Sequence, residues 1–129
     1  MISLDKLSTA ICLSWGPDTS FVPAEWTTQN PARGNCVVTA LVVQHFLGGE
    51  LRKYDTVFQD VNETHYTNLL PDGTEVDLTG RQYPDDQVLV PSEVNLHGYR
   101  AVRDKMMHEP NTVRQYEILL GRVTANLGT

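Results

Sequence analysis

Apolar residues at Leu4, Leu7, Ala10, Ile11 and Leu13 fall close to the spacing of one helical face. They predict an amphipathic helix over 4–13, ended by Gly16-Pro17. From Asp18 to Asn35 the periodicity disappears. Pro23, Pro31 and Gly34 are spread among short polar residues, with Phe21 and Trp26 as isolated aromatics. This stretch predicts a long irregular loop, and loops beyond about 12–15 residues in a compact domain tend to carry function. Cys36 to Leu47 is then apolar nearly all round. Its composition would suit a buried strand, but its length and the Gly48-Gly49 stop predict a buried helix. Asn35 is a good N-cap residue, which puts Cys36 in the first turn.

Beyond Gly49 the pattern changes to short strands. Residues 50–57 and 65–70 read as two strands, Pro71-Asp72-Gly73 as a turn, 74–78 as a third strand and 87–90 as a fourth. The tail from Tyr99 to about Leu127 reads as one short and one longer helix, with Leu119, Leu120 and Val123 on the buried face. The expected class is α+β: N-terminal helices packed on a small antiparallel sheet, followed by a C-terminal helix. The 129 residues fit one domain spanning 1–129. A chain of this length buries roughly two-thirds of its unfolded surface and folds without a metal or disulfide.

Charge and cysteine content narrow the function. The formal net charge is −6 and the basic residues are scattered, so nucleic acid is not an expected partner. Neutral or basic polypeptides suit such a surface better. The run from Cys36 to Leu47 is too short to span a bilayer and is interrupted by Gln44 and His45, so no membrane partner is expected. Only Cys12 and Cys36 are present, and the N-terminus lacks the pattern of a signal peptide. A cytoplasmic protein with free thiols is the expectation.

Cys36 is the first residue of chemical interest. A thiol must ionise to attack, and a helix N-terminus offers unsatisfied N–H groups and a partial positive charge. By itself Cys36 reads better as a core residue. His65 and Asp77 change that. With a three-residue loop and Gly73 left-handed, Leu70 faces Thr74 and Thr67 faces Asp77, so His65 shares a sheet face with Asp77 diagonally. A carboxylate beside an imidazole fixes its tautomer and stabilises the imidazolium formed when a cysteine loses its proton. His45, His97 and His108 have no such partner in a defined register. No recognised metal-ligand spacing is present, and no cofactor is expected. Acyl transfer also needs donors for an oxyanion. The backbone N–H of Cys36 is the first candidate, and the side-chain amides of Asn35 and Gln29 follow. Trp26 and Trp15 are candidates to wall the cleft.

The motifs then show a resemblance. Ser14-Trp15-Gly16-Pro17-Asp18-Thr19-Ser20, Trp26, and Asn30-Pro31-Ala32-Arg33-Gly34-Asn35-Cys36 before the apolar helix resemble the small bacterial YunG-like family. So do His65-Tyr66-Thr67-Asn68, Leu70-Pro71-Asp72-Gly73-Thr74-Glu75-Val76-Asp77-Leu78-Thr79, and then Gln82. The resemblance covers residues 10–85 best. It implies a papain-like or transglutaminase-like cysteine peptidase fold with Cys36, His65 and Asp77 as a triad, and brings Gln82 in beside Asn35, Gln29 and Trp26 as an oxyanion or substrate-binding candidate. Two departures stand out. Asn35 replaces a usual glutamine before the cysteine, and Thr67 replaces a usual tryptophan after His-Tyr.

The expected function is a cysteine hydrolase acting on amide bonds, a peptidase or deamidase working through a thioester. Its partner would be a polypeptide or other amide-containing substrate. The alternative is a papain-like scaffold without catalysis, serving as a protein-interaction module or effector.

Overall fold

A computed structural model describes residues 2–93, 95 and 103–128. Helix α1 spans Leu4–Ser14 and opens on Ser3, whose hydroxyl accepts from the Lys6 N–H at 3.2 Å. Two short 3₁₀ turns, Pro17–Thr19 and Pro23–Glu25, are the only helical pieces in the long loop that follows. Helix α2 spans Cys36–Leu47, with the bounds expected from its apolar run. Four strands follow: β1 at Glu50–Phe58, β2 at Val61–Leu69, β3 at Glu75–Val76 and β4 at Val90–Pro91. A helical turn at 103–106 precedes the C-terminal helix α3, Pro110–Leu127. The expected start of the short tail helix near Tyr99, and His97, lie outside the described residues.

The sheet is antiparallel in the order β3-β2-β1-β4, so the class is α+β as expected. Helix α2 is apolar on every side because it is covered on every side. It packs against α3 and α1 on one flank and against β2 on the other. Leu7, Ile11, Val38, Leu41, Val42, Val43, Leu119 and Val123 form the centre of the core. The Asn68 side chain ties sheet to helix by donating to the Ala40 carbonyl at 2.9 Å.

The β2–β3 connection has the expected register. The Leu70 N–H donates to Thr74 O at 2.8 Å, and Asn68 and Leu69 pair with Val76 and Glu75. Gly73 has φ +89°, the left-handed conformation that closes this loop. The β1–β2 hairpin differs from expectation. Strand β2 begins at Val61, four residues before the expected start. The chain reverses at Gln59-Asp60, where both residues take positive φ (51° and 65°). That is the geometry of a two-residue hairpin turn, built here without glycine. The expected 74–78 strand is cut to two residues, 75–76, and the expected 87–90 strand is found as two residues at 90–91, sharing only Val90 with it.

No helix among the described residues is long and apolar enough to cross a membrane.

Candidate active site

The loop from Asp18 to Asn35 is held by its own polar groups. The Ser20 hydroxyl donates to Arg33 O (2.8 Å), the Thr19 hydroxyl donates to Asn35 Oδ1 (2.6 Å), and the Trp26 indole N–H donates to Pro31 O (2.9 Å). Gln115 on α3 donates to Ser20 O at 2.8 Å. At Gly34, φ is +77° and a Cβ would stand 2.2 Å from the Ser20 hydroxyl, so this turn leading into α2 admits only glycine. The loop thereby delivers Cys36 as the first residue of α2, where its N–H has no intrahelical acceptor.

Strand β2 supplies His65, which is fully buried. Asp77 follows β3 directly, and both of its carboxylate oxygens stand 2.8 Å from His65 Nε2. The diagonal placement across the hairpin is the one read from the 71–73 turn. Gly80 also lies against the carboxylate, so close that a Cβ there would stand 2.6 Å from Oδ2. With Nε2 occupied, the remaining ring nitrogen, Nδ1, is buried without a hydrogen-bond partner. Burial pushes the imidazole down. The Asp77 hydrogen bond and the Cys36 sulfur beside the ring outweigh it and bring His65 up to about 9. Burial, then the charge at Cys36, pushes the Tyr66 hydroxyl up to about 12. The Cys36 sulfur also lies 3.9 Å from the Thr64 carbonyl on β2. Thiol, imidazole and carboxylate are therefore gathered in one place.

A second set of residues braces this arrangement. The Arg33 guanidinium, three residues before Cys36, pairs with Glu63, two residues before His65, and with Glu25. Arg33 holds Glu63 well below the usual carboxylate range, against the effect of burial. Tyr83 donates to Glu63 at 2.9 Å and lies edge-on to the His65 ring, 5.3 Å between centroids. Burial and then Glu63 raise the Tyr83 hydroxyl. The pair Arg33–Glu63 thus ties the loop that leads into Cys36 to the strand that carries the imidazole. Sequence reasoning passed over Arg33, Glu63, Tyr83 and Gly80. The available signal was that Glu63 lies two residues from His65, hence on the same strand face.

Of the four candidates for an oxyanion or substrate contact, Gln82 alone lines the cleft at Cys36. Its Oε1 accepts from the Gly34 N–H and from Arg33, both at 3.2 Å, and its Nε2 is buried and without a partner. Asn35 is placed differently from expectation. Its side chain makes no cap bond to α2. Oδ1 accepts from Thr19 and Nδ2 faces the Pro31 and Arg33 carbonyls, so both ends serve the loop. Trp26 is likewise spent on Pro31 O. Gln29 is exposed in the turn bridged by Thr27 and Asn30. Trp15 is core, its indole N–H donating to the Thr39 hydroxyl at 2.9 Å. Among the described residues, no group of three His, Cys, Asp or Glu side chains is gathered as a metal ion would require.

The cleft at Cys36 has a volume of about 1190 Å³ and runs along the β1–β2 hairpin toward Gln87 and Val88. The family model described as YunG protein matches residues 3–128. Comparison with curated proteins and with solved structures found no match. The family match leaves out only two residues at the start and one at the end. The chain belongs to the YunG family.

Proposed function

We propose that this protein is a cysteine hydrolase of amide bonds, with a papain-like fold. One observation carries the reading: His65 Nε2 is fixed by both oxygens of Asp77, which leaves a buried, unpartnered Nδ1 beside a cysteine that opens a helix. A core cysteine has no need of an oriented imidazole.

In this mechanism the Cys36 proton passes to His65 and the sulfur attacks the amide carbonyl carbon. The C–S bond forms and the carbonyl electrons move onto oxygen. The Cys36 N–H and the Gln82 side-chain amide are the donors available for that oxyanion. Collapse breaks the C–N bond, and His65 gives its proton to the departing amine. Water, deprotonated by His65, then attacks the thioester. The acid is released and the thiol regains its proton. Asp77 keeps the ring oriented and stabilises the imidazolium throughout.

The test is alkylation of Cys36 by iodoacetamide as a function of pH, resolved by mass spectrometry, with His65→Ala and Asp77→Asn for comparison. A free thiol of pKa about 8.5 is only a few per cent ionised at pH 7. The proposal expects Cys36 to react faster there than a small free thiol, and both variants to remove the advantage. If Cys36 reacts no faster than the free thiol and His65→Ala changes nothing, catalysis is excluded. The scaffold reading then takes its place. Cys12 is a poor reference, because Arg81 donates to its sulfur at 3.7 Å.

A further inference from the structure

Six large apolar side chains among the described residues are exposed: Leu13, Phe21, Val57, Val61, Val88 and Val90. All but Leu13 line the cleft at Cys36. They come from three separate parts of the chain: the loop before α2, the tip of the β1–β2 hairpin, and the segment entering β4. Their convergence on one opening marks a surface that something covers.

The charges of the same cleft are one-sided. Asp55, Glu63 and Asp86 line it, and Arg33 is the one cation among the lining residues. Arg33 is almost wholly buried and committed to Glu25 and Glu63. No ion pair among the described residues engages Asp55 or Asp86. A ligand bearing a free carboxylate or phosphate finds no available cation there. A ligand with an ammonium or guanidinium group finds two available carboxylates beside an apolar rim. The volume of about 1190 Å³ also exceeds the roughly 300–1,000 Å³ of a small-molecule pocket.

We infer that the cleft takes an extended polypeptide segment that presents basic and aliphatic side chains on one face, and that Asp55 and Asp86 select the basic positions. The inference rests on the hydrolase reading for what happens next to Cys36, but not for the binding itself.

The experiment is fluorescence anisotropy on the full chain carrying Cys36→Ser, which binds without turning over. Three blocked, labelled peptides with residues repeated in pairs, so that each face of the extended chain carries both types, are compared: lysine with leucine, glutamate with leucine, and lysine with serine. The first peptide is expected to bind about tenfold more tightly than the second, a difference of about 1.4 kcal/mol that two exposed ion pairs can supply. The Asp55→Asn/Asp86→Asn double variant, its fold checked by circular dichroism, is expected to bring that ratio below about threefold. Val88→Ser is expected to weaken both leucine peptides and to leave the lysine–serine peptide unchanged. Equal binding of the lysine and glutamate peptides overturns the inference. So does an absence of peptide binding combined with self-association that Val88→Ser abolishes, which would assign the rim to a second copy of the chain. The alkylation test reports on Cys36 and His65 only, so the two readings fail separately.

Discussion

Gly80→Ala perturbs the His65–Asp77 pair without altering either residue. The new Cβ would stand 2.6 Å from Asp77 Oδ2 and 3.0 Å from its Cγ, whereas ordinary contact begins at 3.4 Å. The oxygen must therefore give by about 0.8 Å, since repulsion is steep inside contact. The backbone accepts alanine, because Gly80 lies outside the left-handed region, and the only atoms displaced are the end of a side chain. A shift of that size cannot keep both oxygens 2.8 Å from Nε2, and a separation near 3.6 Å is no longer a hydrogen bond. His65 stands at about 9 because Asp77 and Cys36 together outweigh burial. With Asp77 loosened, burial regains ground and the titration midpoint falls by a unit or more, each unit being about 1.4 kcal/mol. The assay is an NMR titration of the His65 imidazole in the native chain and in Gly80→Ala, with thermal unfolding as a check on the fold. A His65 midpoint that stays within a few tenths of a unit, in a variant that unfolds as the native chain does, refutes the role given to Asp77.

Two further outcomes follow from the same groups. The folded value of His65, about 9, lies above its ordinary 6.5, so the folded state binds this proton more tightly. The associated stability, about 3 kcal/mol, is fully present below pH 6.5 and is lost as pH rises through 9. Urea unfolding at both ends of that window measures it, and His65→Ala is expected to flatten the slope. Glu63→Gln leaves the buried Arg33 with Glu25 as its one carboxylate, a partner half exposed to water, and costs about 3 kcal/mol by denaturant titration. A loss below 1 kcal/mol would mean that the Arg33–Glu63 pair is not what joins loop to strand.

The parts of the fold legible in the sequence were those set by local rules. The bounds of α2 follow from a largely apolar run between an asparagine and a pair of glycines. The register that brings His65 to Asp77 follows from the short loop 71–73 alone, because side chains alternate with a period of two. The extra length of β2 was hidden because Gln59-Asp60 turns the chain without the glycine that usually announces such a hairpin. Asn35 was misjudged for a different reason. Its residue type suits a helix cap, but Thr19 and two loop carbonyls compete for its side chain, and tertiary competition of this kind leaves no periodic trace. Glu25, Arg33, Glu63 and Tyr83 were missed likewise: four residues spread over nearly sixty positions have no spacing rule that unites them. Gly80 shows the same limit, since its importance lies in which atom it approaches.

The stretch between α1 and α2 has almost no regular structure, yet its carbonyls and hydroxyls are bonded to one another and to Gln115. Its ordering entropy is therefore lost when the chain folds and not when a ligand arrives. Backbone amides here that donate within the loop, such as Phe21 to Gly34 O at 2.9 Å, should exchange with deuterium as slowly as those of the helices, and ligand should slow them little further. Turnover would then wait on chemistry or release rather than on closure of a lid.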